Sequence, residues 1–309
     1  MKKIIYISSF FVAAISLLTS CETEINPELE KADALVAVDG WINDKPGPQT
    51  IKVMLTQSYF DNALPPGLSG AAVTVENITS GKIYTFTEIS EHKGDYVWTP
   101  ATSSDRVGVP GDEFRLLIQA KGESYEAVSK MGRVPVMDSI TFTFQEENSF
   151  QPDSWYAEFW AKDPDGAGDT YWIRTTKNDT LLNKPSEINI AYDAGFSKAA
   201  NFDGLQFFPP IRYAINPFET DKDDKALSPY DFGDSVYVEI NSITESAFNY
   251  LTLVISETDR PGGFGELFSS PLANVSTNIN NVDPKGRKAV GFFNVASVSG
   301  GGKRLVAPK

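Results

Sequence analysis

Ile51-Lys52-Val53-Met54-Leu55-Thr56 decides the fold class. On an extended chain Ile51, Val53 and Leu55 share one face, and Lys52, Met54 and Thr56 the other. Alternation of period two marks a strand with one buried and one wet face, as in antiparallel sheets. Working outward, the same spacing returns at Val73 and Val75, at Tyr84 and Phe86, and at Phe114, Leu116 and Ile118. Turn signals divide these runs: Asp39-Gly40, Pro46-Gly47-Pro48, Pro65-Pro66-Gly67, Ser80-Gly81, Lys93-Gly94, Pro110-Gly111 and Lys121-Gly122. Strands punctuated by turns every ~10 residues predict a sandwich, so residues 35–134 read as a first all-β domain.

Arg133-Val134-Pro135-Val136-Met137-Asp138-Ser139-Ile140 reads as a linker running into a new strand. Beyond it the alternation resumes at Trp155, Ala157 and Phe159, at Tyr171 and Ile173, at Ile188 and Ile190, and at Val236, Val238 and Ile240. One helix near residues 243–256 interrupts it. Ser242-Ile243-Thr244-Glu245 has the form of a capping box with Ser242 as the cap. Ala247, Leu251, Val254 and Ile255 then fall on one helical face. A last strand is expected near Gly291-Phe292-Phe293-Asn294-Val295, and residues 300–309 read as a frayed tail. The chain of 309 residues exceeds the common domain size of roughly 100–150. The expected fold is therefore mostly β, with two antiparallel β-sandwich-like domains, 35–134 and 135–309, and one helix in the C-terminal half.

The N-terminus carries an export signal. Lys2 and Lys3 precede the apolar run Ile4 to Leu18, and Leu18-Thr19-Ser20-Cys21 forms a lipobox around the chain's one cysteine. The run is shorter than the roughly 20 residues of a spanning helix, and its flanks suit cleavage. Residues 1–20 read as a lipoprotein signal peptide, with Cys21 acylated after cleavage. Several acyl chains on one residue anchor stably where a single chain is marginal. Residues 21–34, with Glu22, Glu24, Glu28, Glu30 and Asp33, read as an acidic tether.

Inventory narrows the chemistry. A net charge of −14 argues against nucleic acid and anionic lipid head groups as partners. With one cysteine no intramolecular disulfide forms. The only histidine, His92, sits in a turn, so histidine-based triads and zinc sites lack their parts, and no cofactor is expected. Asp163, Asp165 and Asp169 have the look of a calcium loop, but Ala167 occupies a ligand position, and Ile173 and Arg174 stand where the closing glutamate belongs. A turn is the stronger reading there, with calcium second. Asp221-Lys222-Asp223-Asp224 reads likewise as a solvated acidic loop. Gly262-Gly263-Phe264-Gly265 lacks the Lys-Ser or Lys-Thr of a phosphate loop. The 41 acidic residues leave carboxylate pairs of hydrolase type open. Phe202 to Tyr213 is apolar, aromatic and proline-containing without clean alternation. Core is the first reading; the second is a contact patch built on Phe202, Phe207, Phe208 and Tyr213.

Several resemblances add to this. Cys21-Glu22-Thr23-Glu24 resembles the acidic start of Bacteroidota lipoproteins displayed on the outer face of the outer membrane, which favours outward over periplasmic exposure. Gly94-Asp95-Tyr96-Val97-Trp98 with Pro110-Gly111-Asp112-Glu113-Phe114-Arg115-Leu116 resembles a transthyretin-like module. Asp138-Ser139-Ile140, Asp179-Thr180-Leu181 and Asp234-Ser235-Val236 resemble sites that Bacteroidota glycosylate, on Ser139, Thr180 and Ser235.

A wider resemblance rests on order. It runs through the lipobox, Asp39-Gly40-Trp41-Ile42, Ala71-Ala72-Val73-Thr74-Val75-Glu76, Val134 to Ile140, Gly233-Asp234-Ser235-Val236, Asn249-Tyr250-Leu251, Asn274-Val275-Ser276-Thr277-Asn278-Ile279 and Gly291-Phe292-Phe293. Together they resemble the Bacteroidota outer-membrane lipoproteins of domain of unknown function 4249, with Asp221 to Tyr230 as an insertion. The resemblance implies an outer-membrane lipid anchor and a neighbouring TonB-dependent transporter as partner. It brings no catalytic residues. The expected function is a non-catalytic accessory lipoprotein that captures ligand for the transporter or docks onto it. A carboxylate-based hydrolase of surface polymers and a structural or adhesive module are the alternatives.

Overall fold

The computed structural model describes residues 33–58, 61, 63–148 and 151–308. The expected signal peptide, Cys21 and nearly all of the expected tether lie outside them. Residues Ala34–Lys309 form one compact unit. Its first seven strands are β1 (Val36–Asn43), β2 (Gln49–Leu55), β3 (Ala72–Asn77), β4 (Lys82–Glu88), β5 (Asp95–Trp98), β6 (Glu113–Ala120) and β7 (Glu123–Lys130). They join β14 (Asn280–Asn281) and β15 (Ala289–Ala296) in a nine-stranded sheet ordered β14-β7-β6-β3-β4-β5-β2-β1-β15. All its pairings are antiparallel except β1 with β15.

Alternation builds the first core. Ile51 and Val53, Val73 and Val75, Tyr84 and Phe86, and Phe114, Leu116 and Ile118 all point into it. Between β6 and β7, Lys121 and Gly122 both take positive φ (53° and 79°). Two such residues in a two-residue turn match the twist of a hairpin. The sheet curls until β15 approaches β7, and side chains complete the seam. Val295 N–H donates to Ser129 Oγ at 3.0 Å. Asn278 accepts from Phe293 N–H at 2.9 Å and donates to Phe293 C=O at 2.8 Å, as a paired strand residue would.

The remaining strands are β8 (Met137–Gln145), β9 (Ser154–Ala161), β10 (Thr170–Lys177), β11 (Thr180–Leu181), β12 (Asn189–Tyr192), β13 (Ser235–Ile243) and β16 (Val298–Arg304). β10 pairs with β11, β12 and β13, and β13 with β16, while β8 and β9 form a separate hairpin. Between them lies a second core containing Phe159, Tyr171, Ile173, Phe207, Val238 and Ile240. Among the described residues the α-helices are α1 (Pro209–Tyr213) and α2 (Glu245–Thr258). A third cluster, with Phe248 and Leu251 of α2, Phe292 of β15 and Tyr192 of β12, joins the halves. Met131 belongs to the first core and Ile140 to the second, while β14 and β15 return to complete the first sheet.

Three local expectations need correction. Residues 300–309 are not a frayed tail throughout, because β16 runs to Arg304 along β13. Its glycines give no alternation to read, and they are small for a reason: a Cβ on Gly302 would meet the Tyr237 ring at 3.0 Å, and one on Gly301 would meet Met137 at 3.2 Å. The cap of α2 is Thr244, whose hydroxyl accepts from Ala247 N–H at 3.2 Å, not Ser242. Ser242 still belongs to β13, and its hydroxyl is taken by Ser297 N–H at 2.8 Å. The expected single helix is joined by α1, where Pro209 and Pro210 open one helical turn inside the aromatic stretch.

Candidate functional site

Two surfaces stand out. One lies on the loop between β12 and α1. There Phe196 and Leu205 are about half exposed (51% and 50%) and Phe208 only somewhat less, at 38%. Phe208 packs edge-on to Phe196 with ring centres 5.8 Å apart, and against Phe202 at 5.5 Å. Aromatic residues clustered in the open are the kind that dominate protein interfaces.

The frame beneath is rigid. Phe207, directly before Phe208, turns inward between Phe159 and Tyr171, with ring centres at 5.6 and 5.4 Å. The second reading of this stretch put Phe207 in a contact patch; it is 1% exposed and belongs to the core, in line with the first reading. Adjacent side chains of an extended segment point opposite ways, so one Phe of the pair anchors and the other displays. Gly195 lets the cluster form, since a Cβ there would stand 2.2 Å from the Phe202 ring. Tyr213, also expected in the patch, lies apart beside Glu158, and burial followed by that carboxylate raises its hydroxyl pKa.

A buried carboxylate fixes the same loop. Asp163 accepts from Tyr171 Oη at 2.6 Å and from Gly204 N–H at 3.1 Å. Burial pushes its pKa up to about 6, against the pull of those two hydrogen bonds. The Tyr171 hydroxyl is raised too, by burial and then by Asp163. Nearby, Asp193 takes the left-handed region (φ 49°) and accepts from Gly168 and Asp169 N–H at 2.7 and 2.9 Å. Asp169 is held by Arg133 Nε at 2.8 Å, and Asp165 faces solvent with Lys162 3.6 Å away. The three calcium candidates are therefore engaged separately: Asp163 by Tyr171, Asp169 by Arg133, Asp165 by the surface. Among the described residues no three His, Cys, Asp or Glu side chains are grouped to hold a metal.

The other surface is a groove of about 670 Å³ lined by Ala37, Asp39, Trp41, Met54, Tyr250 and Val275, among others. Trp41 stacks on Phe292 at 5.7 Å, and Tyr250 packs tilted against Phe292 at 4.7 Å. Gly291 brings β15 close enough to β1 that a Cβ would stand 2.0 Å from the Val38 carbonyl oxygen. Asp39 keeps a solvent-reaching side chain, yet the crowded groove desolvates its carboxyl and raises its pKa, with Lys52 and Arg174 pulling the other way. Tyr250 is raised by burial and then by Asp39. Asp39 is the one carboxylate among the residues lining the groove.

Four stretches distant in sequence meet here: Asp39 to Ile42, Asn249 to Leu251, Asn274 to Ile279 and Gly291 to Phe293. Each was visible in the sequence, but nothing in their spacing announced that they converge. Phe196 was missed altogether. Its signal was faint: an aromatic directly after Gly195 in a turn, outside any alternating run. Of the glycosylation candidates, Ser139 is exposed at a bulge in β8 and Thr180 is exposed on β11. Ser235 is half-buried, its hydroxyl 3.3 Å from Asn178 Oδ1.

Architecture and surfaces define a mostly β protein with two principal cores, an aromatic display loop and an apolar groove. The chain belongs to the family described as Domain of unknown function (DUF4249), whose model matches residues 22–300. No curated protein matches the sequence.

Proposed function

We propose that the chain is a non-catalytic lipoprotein of the outer membrane that docks onto a TonB-dependent transporter and passes ligand to it. The observation that carries this reading is the exposed cluster of Phe196, Leu205 and Phe208, backed by half-buried Phe202, on a loop locked from below by Phe207 and Asp163. A preorganised apolar patch binds a partner without the entropy cost of ordering a loop. The lipobox at Cys21 supports attachment to the membrane in which such a transporter sits. A captured small ligand would rest in the groove at Asp39, Trp41 and Tyr250, whose size is that of ordinary ligand sites.

The test is affinity capture of the acylated protein from native envelopes in mild detergent. A TonB-dependent transporter should co-purify in defined stoichiometry. The double variant Phe196→Ala, Phe208→Ala should lose it at least tenfold while melting within a few degrees of wild type. Equal recovery by the variant, or no transporter in either capture, would overturn the reading.

A further inference from the structure

The β8–β9 hairpin has one closed edge and one open edge. On β9, Ala157 N–H donates to Asn216 Oδ1 at 2.7 Å, and Asn216 Nδ2 donates back to Ala157 C=O at 2.8 Å. Trp155 N–H donates to Ser228 Oγ at 3.1 Å. Ala157 and Trp155 therefore aim their backbone groups away from β8. In an antiparallel pair, opposed residues either exchange both hydrogen bonds or neither. Their partners across the ladder, Phe142 and Phe144, must then aim N–H and C=O away from β9 as well. On that side β8 pairs with no other strand among the described residues. Among the described residues its one backbone bond outward is at the start, from Met137 N–H to Ser299 Oγ at 2.9 Å.

Exposed edges are usually blunted by lysine, proline or a twist. From Ile140 to Gln145 β8 has none of the first two, reading Ile-Thr-Phe-Thr-Phe-Gln, and its one bulge lies earlier, between Met137 and Ser139. Phe144 is 44% exposed and extends an aromatic row with Trp155 and Phe232, with ring centres 5.3 and 5.4 Å apart. The charge is one-sided. Residues 137–161 hold Asp138, Glu146, Glu147, Asp153 and Glu158 and no lysine or arginine. Among the described residues only Glu158 has a cation of its own, Arg212 at 2.8 Å. Glu147 and Asp153 also line a depression of about 970 Å³ with Glu219, Asp221, Asp224 and Asp231, where the acidic side chains outnumber Lys177 and Lys225.

We propose that the outer edge of β8 at Phe142 and Phe144 receives an extended, lysine- or arginine-rich segment of another protein by strand addition. Main-chain hydrogen bonds to Phe142 and Phe144 would hold such a segment, and alternate apolar side chains would continue the aromatic row. The acidic hairpin selects basic residues and sets itself against a second copy of this chain, which would bring like charges together. The inference goes beyond the docking reading above and stands on a different surface, so either can fail alone.

The test uses the purified protein and a synthetic peptide of alternating lysine and valine. Free protein should exchange the Phe142 and Phe144 amides rapidly, while Thr141 and Thr143, which face β9, stay protected. Saturating peptide should slow Phe142 and Phe144 at least tenfold. A glutamate–valine peptide and an alternately N-methylated lysine–valine peptide should not. The variant Glu146→Lys, Glu147→Lys should weaken binding at least tenfold without lowering the melting temperature. Phe144→Pro removes one outward N–H at an edge position that tolerates proline, and should do the same. Four results overturn the proposal: protection of both amides before any peptide is added, which would assign the edge to the chain's own C-terminal residues; protection that rises with protein concentration, which would assign it to a second copy; no protection at saturating lysine peptide; or equal binding of the glutamate peptide.

Discussion

The two principal cores solve the same problem differently. The first is a long sheet whose backbone polar groups are satisfied by neighbouring strands, and its interior is aliphatic and aromatic. The second is assembled from a hairpin, a smaller sheet and loops, so side chains finish what strands leave undone. Asn216 and Ser228 close β9, and Asp163 holds the loop at Gly204. Glu158, Asp163, Asp193 and Arg212 are buried there, whereas no charged residue between 33 and 134 is buried among the described residues. Buried charge is costly unless it is paired, so it persists where it performs a positioning task. Regularity in the first half consumes its hydrogen-bonding groups internally; irregularity in the second leaves an aromatic loop and an open edge at the surface.

The sharpest way to break this contrast is Phe207→Ala. The residue is fully buried, and its loss should cost about 3–5 kcal/mol in urea denaturation. It should also free the display loop, which Phe114→Ala in the first core, at similar cost, should not. Equal loop protection from proteolysis in both variants would show that the second core does not position the patch.

A smaller effect separates the halves by pH. The Asp163 pKa of about 6 lies above its ordinary value of 3.8. The folded state therefore holds this proton more tightly than the unfolded chain. The resulting stability is fully present below pH ~4 and lost as pH rises through ~6, a change of at most about 3 kcal/mol. Asp163→Asn should remove that part of the slope when unfolding free energy is measured from pH 4 to 7. An unchanged slope would mean that Asp163 titrates normally.

The smallest effect concerns the joint between the halves. Thr244→Ala deletes the hydroxyl that caps α2 and should cost about 1 kcal/mol. Ser242→Ala should not act as a cap deletion, because its hydroxyl serves Ser297 instead. Matched helix fraying in the two variants, read by amide exchange at Ala247, would return the cap to Ser242.

Much of the molecule was legible in the sequence. Alternation of period two, Gly-containing turns and the helical face of Ala247 and Leu251 are local signals, set by backbone geometry and by which side must leave water. They suffice to read the class as mostly β and to place the alternating residues of β2, β3, β4 and β6 in the first core, but not Ile279, Ala289, Phe293 and Val295, which join it from the far end of the chain. Other features were set by partners far along the chain. Phe207 and Phe208 are identical as letters, and only the position of Tyr171 and Phe159 makes one an anchor and the other a display. β16 has no alternation because its glycines answer to Tyr237 and Met137. The groove gathers four segments that no local spacing connects, and the open edge of β8 is known only once β9 is seen to be closed by Asn216 and Ser228. Local chemistry writes strands and turns into the sequence. Which backbone groups remain unpaired and which aromatics remain in water depends on neighbours that only tertiary packing supplies.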